Sequence, residues 1–231
     1  LAQARCYGYF YCCEKGLTEI RLQLTYCSLE TEEIRRFRCD ETAKELEAWF
    51  RSVLHEYFKW ARYQYHHEIV RDRSIRELMF PYPYREGQRE LVVSVYRTIQ
   101  RGKKLYIQAP TGIGKTLSTI YPAIRAIGEG KGEKLFYLTA KTVTRTVAEE
   151  SLSILRERGL IFTSVTITAR EKLCPFEEKI CDPDVCPRAK GHYDRVNEAV
   201  FDILHLEQDI TQQKILSYAE KYRVCPFEYE L

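Results

Sequence analysis

The sequence predicts an α/β protein of three regions, and three observations carry that prediction. A glycine-rich segment at 109–116 lies between an apolar run and a stretch with helical spacing. The first 66 residues alternate helical and strand-like patterns. The last region, 173–231, is mostly helical and contains four widely spaced cysteines. We therefore expect an α+β region, part of an α/β domain and a mostly helical domain, in that order.

The first region has the order helix, hairpin, helix. Helical spacing covers residues 1–14 and stops near Gly16, because glycine readily adopts the left-handed conformation that ends helices. Two strand-like runs follow at 18–26 and 32–39, and a long helix is predicted from about Thr42 to Tyr65. We place a domain boundary after residue 66 and interpret residues 67–83 as a linker.

The composition limits the class of protein. The 231 residues are 45% apolar and 30% charged, which suffices to bury a core in one to two domains. Because 36 basic and 33 acidic residues leave a formal charge of +3, any nucleic-acid surface must be local. No apolar run approaches the roughly 18 residues that cross a bilayer, and no secretory leader is present. We expect a cytoplasmic protein without a membrane partner.

The glycine-rich segment is a phosphate-binding loop in its alanine-first form. Residues 104–108 are predicted as a buried strand and 115–126 as a helix, which is the context that such a loop requires. We expect backbone N–H groups and the helix dipole to bind phosphate, with Lys115 on the β- and γ-phosphates and Thr116 on Mg²⁺. The predicted loop residues are Ala109, Pro110, Thr111, Gly112, Ile113, Gly114, Lys115 and Thr116.

The nine cysteines form two groups, and disulfides are not expected in a reducing compartment. The first group lies among apolar neighbours without short ligand spacing, which is typical of small core residues. Its members are Cys6, Cys12, Cys13, Cys27 and Cys39. The second group has the spacing C-x6-C-x4-C-x38-C, and proline follows three of its members. Its members are Cys174, Cys181, Cys186 and Cys225. From this spacing alone, an iron–sulfur cluster, a zinc site and metal-free thiols all remain open.

Four further stretches occur in a fixed order around these features. They are Y-R-E-G-Q at 84–88, L-T-A-K-T at 138–142, T-A-R-E-K-L-C at 168–174 and C-P-F at 225–227. In this combination the chain resembles the Fe–S helicases of the XPD/DinG type in superfamily 2. It is most similar to the bacterial form with an N-terminal RecB-like PD-(D/E)xK nuclease-like domain. The resemblance covers residues 84–231.

The resemblance implies the domain organisation and the ligands. Residues 84–172 would be the first part of a RecA-like P-loop motor domain, and 173–231 an inserted, mostly helical Fe–S domain. Residues 1–66 would be the C-terminal part of an α+β nuclease-like domain. ATP and Mg²⁺ would bind at the loop. The four cysteines of the second group would bind a 4Fe–4S cluster.

Two sets of polar residues complete the predicted site. Arg85 and Gln88 lie three apart and so share a helix face, and the resemblance assigns them to adenine recognition. Residues that follow the next predicted strand carry groups suited to phosphate contacts without base readout, although a simple helix start has the same composition. The predicted single-stranded DNA contacts are Thr139, Lys141, Arg145, Arg170 and Lys172. A further basic cluster fits either a DNA path or a solvated face, and consists of Arg188, Lys190, His192 and Arg195.

Function follows from the resemblance and from what the chain lacks. Gln3 and Tyr7 resemble the last motif of RecB-like nucleases, but the metal-binding carboxylates of that family are absent, so we assign no nuclease activity. No D-E-x-H motif and no second motor domain are present. We expect a fragment of an ATP-dependent helicase that moves 5′ to 3′ on single-stranded DNA when joined to its second motor domain and nuclease domain. The alternatives are a zinc-stapled P-loop ATPase and a nucleic-acid-binding module without helicase activity.

Overall fold

The computed structural model describes residues 1–140, 142–178 and 180–231. The chain divides into two compact units, Leu1–His66 and His67–Leu231. Within the described residues, no helix combines the length and the apolar character needed to cross a membrane.

The first unit confirms the predicted order of helix, hairpin and helix. Its elements are α1 (Ala2–Lys15), β1 (Glu19–Cys27), β2 (Ile34–Thr42) and the start of α2 (Ala43–Glu77). Helix α1 ends at Gly16, whose φ of 66° is the left-handed conformation expected there. Strands β1 and β2 are antiparallel, and their register runs from Glu19 opposite Thr42 to Cys27 opposite Ile34.

The core of the first unit is small, and it corrects the prediction for the first group of cysteines. Cys12 is buried with Leu22 and Leu46, whereas Cys13 and Cys27 are exposed. The prediction that all five are core residues is therefore wrong. Successive helical residues point about 100° apart, so only one of the adjacent pair at 12 and 13 can face the hairpin.

The second unit contains the remaining elements, most of them helices. They are α3 (Gln88–Gln100), α4 (Lys115–Gly128), α5 (Thr142–Glu157), β3 (Ser164–Val165), α6 (Arg170–Leu173), α7 (His192–Leu206), β4 (Asp209–Ile210), α8 (Gln212–Tyr222) and α9 (Pro226–Glu230). The structure confirms the helix predicted at 115–126. Helix α3 begins only at Gln88, so Arg85 precedes it, and the prediction that Arg85 and Gln88 share a helix face is wrong. Strands β3 and β4 form a short parallel pair.

Two hydrophobic cores lie within the second unit. The first joins the end of α2 to α4 and α5. The second is built from α6, α7, β4, α8 and α9. The phosphate-binding loop adjoins the first core, and the second group of cysteines adjoins the second core. The two candidate sites are therefore stabilised by different hydrophobic cores.

Residues 67–83, predicted as a linker, are instead partly helical and packed. Helix α2 continues to Glu77, and Ile75 is 0% exposed in the first core. A Cβ atom on Gly128 of α4 would lie only 2.4 Å from Cγ2 of Ile75, so the two helices meet closely here. The Arg125 guanidinium also donates to the carbonyl oxygens of Ile75 and Arg76 at 2.7 and 3.0 Å. This segment is an integral part of the second unit.

The buried strand predicted at 104–108 is absent from the structure. These residues belong to no sheet, and Tyr106 is 91% exposed. The apolar run at 134–139 is likewise not a strand. A buried strand needs neighbours that pair its N–H and C=O groups. Within the described residues the sheets are the β1–β2 hairpin and the β3–β4 pair, and neither reaches these runs.

Candidate nucleotide site and cysteine-bearing segment

The phosphate-binding loop enters α4 in the conformation that its glycines permit. Gly112 and Gly114 have φ values of 87° and 79°, in the left-handed region that side chains disfavour. Gly114 precedes the first helical residue, Lys115, and its carbonyl oxygen accepts the N–H of Ser118 at 3.0 Å. The N–H groups of the first turn have no acceptor within the helix and carry the positive end of its dipole. This end of α4 is therefore suited to bind phosphate.

Lys115 lies across the loop rather than pointing away from it. Its Nζ donates to the carbonyl oxygens of Ala109 and Pro110 at 3.0 and 2.8 Å. The side chain is exposed, so a bound anion can reach the ammonium group. Thr116, the predicted Mg²⁺ ligand, is half-buried in the first turn of α4. The two residues predicted to carry phosphate chemistry are thus adjacent at the helix start.

Arg85 and Gln88 both contact the phosphate-binding loop. The buried Gln88 side chain, 5% exposed, donates through Nε2 to the carbonyl oxygen of Ile113 at 2.8 Å. Its Oε1 accepts the backbone N–H of Arg85 at 3.0 Å, and the Arg85 guanidinium donates to the carbonyl oxygen of Gly112. A Cβ at position 114 would lie 2.8 Å from Gln88 Nε2, so a side chain there would displace the Gln88 amide. The predicted adenine-binding pair is therefore fixed directly against the loop backbone.

Two of the predicted single-stranded DNA contacts, Thr139 and Arg145, lie around the start of α5. Thr139 is exposed just before the helix, and Lys141 lies outside the described residues. The Arg145 guanidinium lies 3.7 Å from Oε1 of Glu149, one helical turn further on. Glu149 Oε1 in turn accepts the hydroxyl of Thr166 at 2.7 Å. Arg145 is thus oriented by a carboxylate that is itself hydrogen-bonded.

The second group of cysteines surrounds one end of the second core. Cys174 follows α6 and Cys225 precedes α9, and these two short helices are in contact. The Arg170 guanidinium donates to Sγ of Cys181 at 3.8 Å, while Lys172 is exposed on the same helix. Burial raises the pKa of the Cys225 thiol above its ordinary value, and hydrogen bonds with the backbone of Glu228 and Phe227 offset part of this rise.

These cysteines have the side-chain chemistry of metal ligands, but the structure does not bring them together into a metal-binding group. All four are free thiols, the ligand type that iron–sulfur clusters and structural zinc require. Among the residues that the structure describes, no three His, Cys, Asp or Glu side chains are grouped so that they could hold a metal ion. The four thiols therefore do not form a metal-binding group in this arrangement.

The basic cluster near Cys186 serves in part to end a helix. Arg188 donates to the carbonyl oxygen of Ala219 at 2.7 Å, and Arg195 to those of Tyr222 and Arg223 at 3.1 and 2.8 Å. These carbonyls belong to the C-terminal end of α8, where cations stabilise the helix dipole. Both arginines thus contribute to packing, a role that neither of the two sequence interpretations included.

His192 and Glu230 hold backbone groups of distant segments. The Nδ1 of buried His192 lies 3.2 Å from the N–H of Cys225 and accepts it, and burial lowers the pKa of the imidazole. Both carboxylate oxygens of buried Glu230 accept the N–H of Thr168, at 3.0 and 3.1 Å. Burial raises the pKa of this carboxyl group. The partners are 33 and 62 residues apart, so no local pattern could have identified them.

Comparison with known proteins finds helicases. Residues 86–183 match the DEAD/DEAH box helicase family. A probable ATP-dependent helicase of Methanocaldococcus jannaschii is 36% identical over 78 residues, which are 33% of this chain and 12% of that protein. The ATP-dependent DNA helicases DinG of Salmonella choleraesuis and Salmonella typhimurium are 37% identical over 76 residues, 32% of this chain and 10% of theirs. No solved structure matches the chain.

The matched region contains the phosphate-binding loop and the start of α5. The matches support the predicted helicase superfamily, and the family match implies a RecA-like fold and nucleotide binding for this region. The chain spans about a tenth of the length of the curated relatives it matches.

Proposed function

We propose that this chain is the nucleotide-binding portion of an ATP-dependent DNA helicase that moves 5′ to 3′ along single-stranded DNA. The observation that carries the proposal is the loop at the start of α4. It combines left-handed glycines, an exposed lysine and a helix N-terminus within the region that matches helicases. The named DinG relatives are DNA helicases, which supports DNA as the polymer.

In this proposal the loop residues bind and orient the triphosphate. Phosphate oxygens replace the carbonyls of Ala109 and Pro110 as acceptors for Lys115, because a charged acceptor binds an ammonium group more strongly than a neutral one. The Thr116 hydroxyl oxygen is a ligand type that suits Mg²⁺. A bound Mg²⁺ would neutralise part of the phosphate charge. Arg85 and Gln88 lie against the loop backbone, which fits a role in placing the adenine end of the nucleotide.

The nucleic-acid path is assigned to the start of α5 and to α6. These segments present hydroxyl, ammonium and guanidinium groups, which contact a phosphate backbone without reading bases. The residues are Thr139, Lys141, Arg145, Arg170 and Lys172. Unwinding assays of the whole protein on duplexes with either a 5′ or a 3′ single-stranded tail test the direction. Activity only with the 3′ tail contradicts it.

We also propose that Cys174, Cys181, Cys186 and Cys225 hold a 4Fe–4S cluster that stabilises the segment from α6 to α9. The sequence spacing and the free thiols support this. Binding requires the thiols to move together from their present separation. Such a cluster would join the α6 and α9 ends of the second core.

Metal analysis of protein purified without oxygen tests the cluster. We expect about four iron and four sulfide ions per chain. We expect Cys225→Ser to lose iron, because it removes a ligand between the two short helices, and the exposed Cys13→Ser to retain it. One zinc ion without sulfide would instead support a zinc-stapled P-loop ATPase.

The test of nucleotide binding is the substitution Lys115→Ala. Hydrogen bonds to charged groups contribute about 1.5–3 kcal/mol, so affinity for ATP should fall at least about ten-fold. Lys131→Ala is the matched control, because this lysine is exposed and lies after the end of α4. In the whole protein, Lys115→Ala should also abolish DNA-stimulated ATP hydrolysis. Hydrolysis at the wild-type rate would refute the proposed function.

A further inference from the structure

The two hydrophobic cores of the second unit meet at the β3–β4 pair. Strand β3 follows α5, which belongs to the first core, and β4 lies between α7 and α8 of the second core. The N–H of Ser164 donates to the carbonyl oxygen of Gln208 at 2.9 Å, and that of Thr166 to Ile210 at 3.0 Å. Ile210 is itself a member of the second core. We call the elements of the first core, with the phosphate-binding loop, the loop-bearing part, and the elements of the second core, with the second group of cysteines, the cysteine-bearing part. Two backbone hydrogen bonds thus connect these two parts.

Arg156, in the last turn of α5, hydrogen-bonds to residues at the β3–β4 pair, which we call the junction. Its guanidinium donates to the carbonyl oxygens of Phe162 and Gln208, at 3.0 and 2.9 Å, and to the Ser164 hydroxyl at 2.6 Å. It also pairs with the carboxylate of Asp209 at 3.5 Å. These partners belong to both strands or to the residues beside them.

The environment of Arg156 is unusual for a charged residue. The side chain is only 14% exposed, and burial lowers the pKa of the guanidinium. Burying a charge is costly unless it is hydrogen-bonded and paired, and the four partners meet that requirement. A lysine would offer a single nitrogen where the planar guanidinium reaches several acceptors at once.

Helix α5 contacts the same junction at a second point. Arg145, Glu149 and Arg156 are spaced by four and seven residues and therefore lie on one face of the helix. Glu149 accepts the hydroxyl of Thr166, the residue that follows β3. The same helix therefore carries a proposed DNA contact at its start and the junction contact at its end.

We propose that Arg156 is a positioning residue that couples DNA binding to ATP turnover by holding the cysteine-bearing segment in a fixed position on α5. The proposal rests on the proposed function. A shift of β4 relative to α5 breaks hydrogen bonds to a guanidinium that is largely shielded from water, so the two parts move together. DNA bound across α5 and α6 then acts on the loop-bearing part as well. Without Arg156, the two parts would be joined only by the remaining contacts at the strand pair, so DNA bound to one would act less on the other.

The first test measures the junction itself in this chain. Arg156→Met removes the charged donors and keeps most of the apolar stem. We expect hydrogen exchange at the N–H groups of Ser164 and Thr166 to accelerate at least about ten-fold, with little change in α4. Arg158→Met is the matched control, because Arg158 is exposed two residues further on. Unchanged exchange in Arg156→Met would overturn the proposal.

The second test separates coupling from simple structural support. ATP turnover of the whole protein is measured with and without single-stranded DNA. We expect Arg156→Met to hydrolyse ATP without DNA as fast as the wild type. The factor by which DNA accelerates hydrolysis should fall at least about ten-fold, which is within the usual range of coupling between sites. Arg156→Lys should fall between this variant and wild type, and Arg158→Met should behave as wild type. Asp209→Asn, which removes one partner and leaves the arginine, should give a smaller loss in the same direction.

The outcomes distinguish this proposal from the one on which it rests. Full stimulation in Arg156→Met, or equal loss of stimulated and unstimulated turnover in both Arg156 variants, would overturn the coupling role. Retained hydrolysis in Lys115→Ala would instead refute the proposed function.

Discussion

The close approach of α2 to α4 yields a prediction whose size follows from the structure. Gly128 lies at the end of α4, and a Cβ there would meet Cγ2 and Cβ of Ile75 at 2.4 and 2.8 Å. Gly128→Ala adds that atom and nothing else. Ile75 is fully buried, and its β-branched side chain has little freedom about χ1, so it cannot rotate away. We expect the substitution to destabilise the second unit.

Two effects of opposite sign determine the magnitude. Forcing an extra methyl group into a packed core costs about 1–3 kcal/mol, and an approach this short belongs at the upper end of that range. Replacing a helical glycine by alanine returns about 1 kcal/mol of helix propensity. The net loss is then about 2 kcal/mol in the free energy of unfolding. For a chain of this size that corresponds to a fall of about 4–8 °C in Tm.

Hydrogen exchange of the α4 amides measures this loss directly in the second unit. Both tryptophans, Trp49 and Trp60, lie in the first unit, so their fluorescence provides a separate measure of that unit. Gly132→Ala is the control, because its Cβ would come no closer than 3.9 Å to another heavy atom outside the adjacent residues. If the α4 amides of Gly128→Ala exchanged as slowly as those of the wild type, the packing argument would be refuted.

Two further predictions concern the loop and the response to acid. Gly114→Ala should weaken ATP binding at least about ten-fold in a titration, because the new Cβ collides with Gln88 and position 114 has a positive φ; binding as tight as wild type would contradict this. Burial, together with the charge of a neighbouring arginine, lowers the pKa of His67. The folded state therefore favours neutral His67. This contribution to the free energy of unfolding is fully present above the pKa of an unfolded histidine, and it is lost as pH falls through the lower pKa of the folded state. His67→Asn should therefore reduce the acid sensitivity of α2 exchange near position 67, whereas the exposed His55→Asn should not.

The elements that could be predicted from sequence are those determined by neighbouring residues. Gly16 ends α1 where its left-handed φ was expected, and Lys115 begins α4 directly after the glycines of the loop. The hairpin of the first unit was predicted for the same reason, since alternation and turn signals act over a few residues. In the candidate site, the assignment of Gln88 to adenine recognition came from the family resemblance, and its contact with Ile113 is a finding of the structure.

Features that depend on distant partners could not be predicted in this way. Residues 104–108 have the composition of a buried strand, but composition does not supply the neighbours that a ladder needs. Ile75 lies in a segment without a strong pattern, yet it is fully buried because Gly128, 53 positions later, leaves space for it. The caps that Arg188 and Arg195 provide for α8 involve partners 27 to 31 residues away.

The contacts of the phosphate-binding loop bear on how ATP would bind. The Gln88 side chain donates to the carbonyl oxygen of Ile113. The Lys115 side chain donates to those of Ala109 and Pro110. Both halves of the loop are therefore stabilised by side-chain hydrogen bonds. A loop that is already shaped need not lose further backbone entropy on binding, which leaves more of the phosphate interaction to appear as affinity. Lys115 must exchange partners, from two neutral carbonyls to charged oxygens. Substitution of Lys115 should therefore affect ATP binding through lost charge, and substitution of Gln88 through lost loop order.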